Sequence, residues 1–124
     1  DTLKRIGITF PISAPALAAC EATLQDRDHF ERVVGENHRI REMFSDALKS
    51  LGFELIPSQT NFVLVRFPDC QRATDVHAAL EAEQIYARRL AGGDFSECVR
   101  FTMGTEEEMR RCVEVTKEWL KRNV

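Results

Sequence analysis

The chain has 124 residues, 44% of them hydrophobic and 30% charged, which are the values of a globular protein long enough to form one domain. The formal net charge of −3 gives no basis for binding nucleic acid or an anionic membrane. No apolar stretch of about 18 residues occurs, so no transmembrane helix is predicted. No long apolar run follows Lys4 and Arg5, so no signal peptide is predicted either.

The four cysteines form no C-x-x-C motif, and the three histidines do not complete a metal-binding pattern. We therefore expect no metal site, and we expect reduced core or surface thiols in a cytoplasmic protein. The residues concerned are Cys20, Cys70, Cys98, Cys112, His29, His38 and His77.

The first half of the chain predicts helices. Residues 1–6 could be the tail of a helix, and Phe10-Pro11 breaks it because proline fixes its own φ and lacks an N–H. Ser13 can cap the next helix, with Pro15 in its first turn. Apolar residues spaced three and four apart predict a long amphipathic helix over 27–50, which Gly52 ends.

From Phe53 onward the pattern changes to short β-type runs. Strands are predicted over 53–57, 61–67, 85–90 and 97–103, with a helix over 73–83 and a last helix capped by Thr105 and Glu108. The order ααββαββα predicts an α+β fold, in which a small mixed, largely antiparallel sheet packs against helices. We expect residues 1–124 to form a single domain, mostly helical over 1–51 and α/β over 52–124.

Arg100 is the candidate functional residue that the pattern itself points to. It lies inside an apolar strand pattern that ends at Gly104-Thr105, where a helix begins. A guanidinium on a rigid strand can make bidentate, charge-assisted bonds to a carboxylate or phosphate. The spacing alone favours a structural pair with a nearby carboxylate such as Glu97 or Glu107.

Four segments in order carry a resemblance to a known family. The chain resembles the C-terminal small domain of pyridoxal-phosphate-dependent aminotransferases of fold type I, and most closely the histidinol-phosphate aminotransferase group. The similar segments are 3–13 (LKRIGITFPIS), 51–65 (LGFELIPSQTNFVLV), 85–90 (IYARRL) and 99–108 (VRFTMGTEEE).

The resemblance implies substrate-binding roles for two arginines. Arg100 corresponds to the arginine of the closing strand, which binds the anionic end of the substrate, a carboxylate or a phosphate. Arg88 is similar to a second anion-binding arginine of the phosphate-using members. Arg89 stands where proline is usual in the family, so the choice between Arg88 and Arg89 is open at this point.

The resemblance also implies what the chain lacks. In the family a lysine upstream of these segments holds the cofactor covalently. Lys4 falls too late in the motif order, and Lys49, Lys117 and Lys121 lie on predicted helix faces or at the C-terminal end. We therefore expect no catalytic and no cofactor-binding residue in this chain.

The expected parent is a homodimeric, cytoplasmic transaminase of amino-acid biosynthesis. It binds pyridoxal phosphate in an N-terminal domain absent from this sequence, and it acts on a small anionic substrate. The chain alone is expected to bind no cofactor and to be inactive. The alternative is a free-standing α/β module for small-ligand binding or dimerisation, because a fold of this kind serves both purposes.

Overall fold

A computed structural model describes residues 11–90 and 92–123. Within them, the helices are α1 (Ala14–Gln25), α2 (Arg27–Ser50), α3 (Cys70–Ala82) and α4 (Glu106–Asn123), and a short 3₁₀ turn spans Gly93–Phe95. The strands are β1 (Glu54–Ile56), β2 (Phe62–Arg66), β3 (Arg88–Arg89) and β4 (Cys98–Thr102). The helix expected over residues 1–6 lies outside the described residues.

The four strands form one sheet in the order β1-β2-β4-β3. Each of the three pairings is antiparallel. The predicted α+β class with a largely antiparallel sheet is therefore confirmed, and the strands of the described residues include no parallel pair. The two strands that carry the most ladder contacts, β2 and β4, lie side by side in the centre of the sheet.

One face of the sheet forms the core with the helices. Val63 and Val65 of β2 and Val99 and Phe101 of β4 are buried there. The Phe101 ring lies 5.3 Å from the ring of Phe44 on α2, measured between centroids. The helix residues of the same cluster recur at spacings of three and four, and they include Ile40, Phe44 and Leu48 on α2, Ala73, Val76 and Leu80 on α3, and Met109, Cys112 and Trp119 on α4.

The chain divides into two compact units, residues 1–35 and 36–124. The first unit contains α1, which buries none of its residues, and the beginning of α2. The second contains the rest of α2, the sheet, α3 and α4, and it holds the whole core cluster. The single-domain organisation remains a prediction. No helix of the described residues is long and apolar enough to cross a membrane.

Several helix ends follow the signals in the sequence. Ser13 caps α1 by accepting a bond from the backbone N–H of Ala16, with proline in the first turn. Gly52 adopts a φ of +89° just after α2, and the N–H of Phe53 reaches back to the carbonyl of Leu48. This arrangement requires a left-handed residue, which glycine provides at low cost.

Two predicted boundaries were wrong. Helix α3 begins at Cys70 rather than residue 73, because the Asp69 side chain accepts a bond from the N–H of Arg72 and caps the helix three residues earlier. Strand β3 comprises only Arg88–Arg89 rather than residues 85–90, since only those two residues enter the ladder with β4. Apolar composition alone cannot show where a neighbouring strand is available for pairing.

The capping box at the start of α4 is confirmed. The Glu108 carboxylate accepts bonds from the N–H of Thr105 at 2.7 Å and from its hydroxyl at 2.9 Å, and the Thr105 hydroxyl accepts from the N–H of Glu108. The backbone bond from Thr105, followed by the bond from its hydroxyl, holds the pKa of Glu108 below its usual value. A Cβ at Gly104 would overlap this carboxylate, so alanine there would displace the Glu108 side chain.

We predict that Gly104→Ala lowers the free energy of unfolding by roughly 0.5–2 kcal/mol, the value of a helix cap, because the added methyl displaces the carboxylate of Glu108. Chemical denaturation measures the loss. In a Glu108→Ala background the same substitution should cost little, and an undiminished cost there would contradict this explanation. Gly35→Ala is the control, since its Cβ would meet nothing within 4 Å and the change should stabilise α2 by up to about 1 kcal/mol.

Candidate anion-binding site

The sheet face opposite the core, which we call the outer face, carries the candidate site. Side chains alternate along a strand, so the residues between the core positions share this face. All of them are half-buried or exposed except the thiol residue Cys98. They are Glu54 and Ile56 of β1, Phe62, Leu64 and Arg66 of β2, Arg88 of β3, and Cys98, Arg100 and Thr102 of β4.

Arg88 and Arg100 face each other directly across the β3–β4 ladder. Directly opposed residues of an antiparallel pair project on the same side of the sheet, and like charges in such a pair repel. Within the described residues, no carboxylate lies within 4.0 Å of either guanidinium. The outer face therefore carries two concentrated positive charges without a counterion from this part of the chain.

Arg89 lies on the other face. Its register partner is Val99, a core residue, and its Nη2 donates to the carbonyl of Cys70 at the start of α3, at 3.3 Å. Of the two arginines that the sequence left open, Arg88 is the one that shares a face with Arg100.

The guanidinium of Arg100 rests on an aromatic ring. Its Cζ lies 5.2 Å from the centroid of the Phe62 ring, which is within the range of a cation–π interaction. The Nε of Arg100 is buried and has no hydrogen-bond partner among the described residues. Buried donors in folded proteins are generally paired, so this one has an unused capacity to bind an acceptor.

The local ion pair that the spacing allowed for Arg100 does not form with Glu97. That carboxylate pairs with the guanidinium of Arg66, which also lies 3.3 Å from Glu54. Arg66 is therefore neutralised by two carboxylates, one on β1 and one immediately before β4. Arg88 and Arg100 differ from it in lacking such a partner among the described residues.

The described residues offer no nucleophile beside the arginine pair. Cys98 shares the outer face, but burial raises the pKa of its thiol, so it stays protonated near neutral pH. Burial also raises the pKa of Cys112, which belongs to the core cluster. No cluster of potential metal ligands is present in residues 11–90 and 92–123.

The described lysines do not form a site for a carbonyl cofactor. Lys49 lies exposed on α2, and its Nζ is 3.6 Å from the carboxylate of Asp46. Lys117 and Lys121 are exposed on α4. All three are on helices, whereas the arginine pair is on the outer face of the sheet. The described lysines therefore do not fit pyridoxal phosphate.

Sequence reasoning missed two residues near the site. Phe62 was read only as a strand residue, although its ring contacts Arg100. Arg41 on α2 is 6% exposed and donates to the carbonyl of Thr60, two residues before Phe62, at 2.8 Å. Its place three and seven residues before Phe44 and Leu48, on the apolar stripe of α2, is the signal that could have revealed its burial.

Comparison with protein-family models and curated proteins identifies the family of this chain. Residues 1–115 match the model described as aminotransferase class I and II. The chain belongs to the aminotransferase class I and II family. A curated relative, the histidinol-phosphate aminotransferase of Paracoccus denitrificans strain Pd 1222, is 35% identical over 120 residues, which cover 97% of this chain and 33% of the relative. The chain is thus an aminotransferase domain that spans about a third of the length of the curated relatives it matches.

Solved aminotransferase structures share the fold. The histidinol-phosphate aminotransferase of Sinorhizobium meliloti, in complex with pyridoxal-5'-phosphate, superposes with a TM-score of 0.82 at 22% identity, over 99% of this chain and 34% of that one. A decarboxylase from Sulfurospirillum multivorans superposes with a TM-score of 0.74 at 25% identity, over 95% and 35% of the two chains. The same architecture therefore occurs in proteins with different reaction names.

We predict that Arg88→Thr raises the free energy of unfolding of this aminotransferase domain by roughly 0.2–1 kcal/mol at low ionic strength, because it removes a like charge opposite Arg100. The gain should shrink as salt is added. Arg88→Lys keeps the charge and should give no such gain. Denaturation of the three proteins at two salt concentrations tests this, and a salt-independent change would show that repulsion is not its cause.

Proposed function

We propose that this chain is the C-terminal part of a pyridoxal-phosphate-dependent aminotransferase of the histidinol-phosphate aminotransferase type, and that Arg100 and Arg88 bind the anionic end of its substrate. The observation that carries the proposal is the opposed arginine pair on the outer face, which lacks a carboxylate partner among the described residues. The relation to histidinol-phosphate aminotransferases supports it.

The charge of the pair favours a phosphate end over a carboxylate end. A phosphate monoester carries up to two negative charges and three acceptor oxygens, so it can accept bonds from both guanidinium groups at once. Hydrogen bonds to charged groups contribute about 1.5–3 kcal/mol each. A carboxylate offers one charge and two oxygens, and it would leave part of the repulsion between Arg88 and Arg100 in place.

The proposed role of this chain in the reaction is binding and orientation. Both arginines lie on strands whose other face is the packed core, so the anionic end of the substrate is held at a fixed place. An end fixed in this way directs the reacting carbon to one position and reduces the entropic part of the barrier. The chain supplies no proton acceptor or donor at the reacting carbon.

The rest of the chemistry is assigned to polypeptide outside this sequence. Pyridoxal phosphate supplies an electron sink for amino transfer when it is bound, and we place it in an N-terminal domain together with its lysine. The parent is proposed to be a homodimer of the cytoplasm that serves amino-acid biosynthesis. The names and lengths of the curated relatives, of which this chain covers about a third, support the division.

The decisive experiment uses the complete protein encoded by the gene. Transfer of the amino group of histidinol phosphate to a 2-oxo acid is expected, and Arg100→Ala should lower kcat/KM about 10²-fold, equivalent to about 3 kcal/mol. Arg89→Ala is the matched control, because Arg89 lies on the neighbouring strand β3 but on the opposite face of the sheet. An unchanged kcat/KM in Arg100→Ala would remove that residue from the site, and release of carbon dioxide from an amino acid would identify a decarboxylase instead.

The chain by itself is expected to bind no cofactor covalently. After addition of pyridoxal phosphate and reduction with borohydride, mass spectrometry should find no single lysine modified stoichiometrically, because no described lysine lies on the outer face. Clean modification of one lysine together with transamination by the chain alone would refute the proposed division between two domains.

The alternative function is a free-standing module for small-ligand binding or dimerisation. It shares the fold and the arginine pair with the first proposal, so structure alone does not separate them. The reading frame of the gene separates the two functions. A frame that continues upstream into a lysine-bearing domain supports the aminotransferase, whereas a start codon immediately before Asp1 supports the module.

A further inference from the structure

We propose that Arg41 is a positioning residue for the anion-binding site: through the carbonyl of Thr60 it holds the Phe62 ring against the guanidinium of Arg100. This proposal rests on the proposed function, because it assumes that Arg100 binds the anionic end of the substrate. It gives the buried charge of Arg41 a role, although Arg41 itself is not proposed to contact the substrate anion.

Arg41 is unusual because it is a charged side chain that is buried. Among residues 11–90 and 92–123 it is the one charged residue that is buried, at 6% exposure. Burial of a guanidinium is costly unless it is paired, and its described partners include no carboxylate. It donates to the Thr60 carbonyl at 2.8 Å, to Nδ1 of His38 at 2.9 Å and, more weakly, to the amide oxygen of Gln59 at 3.5 Å.

Two of these bonds, those to Thr60 and Gln59, reach the loop between β1 and β2. The Thr60 carbonyl accepts a second bond from the side-chain amide of Asn37, also on α2, at 3.3 Å. Two side chains of one helix thus hold a single carbonyl, two residues before Phe62. The next carbonyl, that of Asn61, accepts from the N–H of Met103 at 2.8 Å and joins the loop to the end of β4.

The loop determines where β2 begins and how its first side chain is placed. The hydroxyl of Thr60 accepts a bond from the N–H of Phe62 at 3.3 Å and donates to its carbonyl at 3.2 Å. The Phe62 ring in turn lies 5.2 Å from Cζ of Arg100. A continuous series of contacts therefore runs from Arg41 through Thr60 and Phe62 to the guanidinium that meets the anion.

The aromatic contact has a specific consequence for the site. A ring face attracts a guanidinium without neutralising it. It can therefore fix the plane of the Arg100 fork and leave its hydrogen-bond donors available for an anion. A carboxylate in the same place, as Glu97 is for Arg66, would compete with the ligand.

The test measures the affinity of the chain for inorganic phosphate by NMR, following the Nε–Hε resonances of its arginines. Arg41→Met should weaken the affinity at least threefold. Arg39→Met removes the same charge from the same helix, but Arg39 is exposed and bonds Glu36 and Glu106, so it should leave the affinity within twofold of the parent chain. Arg41→Lys keeps the charge and one donor and should restore part of the affinity.

Combining the Arg41 and Arg100 substitutions distinguishes a positioning role of Arg41 from a general loss of structure. Arg100→Ala should weaken phosphate binding but leave measurable binding at Arg88, and Arg41→Met should cause no further loss in that background. Phe62→Leu should weaken phosphate binding as Arg41→Met does. If Arg41→Met does not fold, Asn37→Leu removes the other donor to the same carbonyl and should shift the affinity in the same direction.

The outcomes distinguish the two proposals. If Arg100→Ala leaves phosphate affinity unchanged, the proposed anion-binding role fails and the positioning role fails with it. If Arg100→Ala weakens binding while a folded Arg41→Met or Phe62→Leu does not, only the positioning role is overturned. Equal weakening by Arg39→Met and Arg41→Met would show a long-range charge effect and would also overturn it.

Discussion

Two positive charges opposite each other on an antiparallel ladder are the constraint on which the candidate site depends. Arg88 and Arg100 occupy such a pair, and the described residues provide neither with a carboxylate. The arrangement lowers the stability of the free chain, because like charges in this geometry repel. An anion bound between them, as proposed, would replace the repulsion by two attractive contacts, so the geometry that disfavours the free state would favour the bound one.

The same two strands build the core and the site. On one face Val63, Val65, Val99 and Phe101 pack against the helices. On the outer face, the residues that alternate with these core positions include Phe62, which supplies the aromatic ring, and Arg100, which supplies the charge. A change in register by one residue would exchange the two sets. The hydrophobic core therefore fixes the site indirectly, by fixing the register of β2 and β4.

Arg66 and Arg100 differ in their environment, which separates a structural arginine from a candidate anion-binding one. Both lie on the outer face of central strands, and both are half-buried. Arg66 meets Glu54 and Glu97, whereas Arg100 meets the ring of Phe62. The fold by itself does not assign a reaction, since a histidinol-phosphate aminotransferase and a decarboxylase share it. The role proposed for these residues is to bind the anionic end of the ligand, whichever reaction the protein catalyses.

The types of secondary-structure element, their order and the candidate residue Arg100 could all be predicted from local sequence patterns. Alternation in β2, the three-and-four spacing in α2 and the Thr105–Glu108 box are local patterns, and local sterics and hydrogen bonds are enough to produce them. The motif order also led to the family. Tertiary structure alone decided that Arg88 rather than Arg89 lies beside Arg100, that Glu97 belongs to Arg66, and that Arg41 is buried. Each of these depends on cross-strand register or on contacts between residues far apart in the chain, and the free energy of such contacts is not encoded in any single segment.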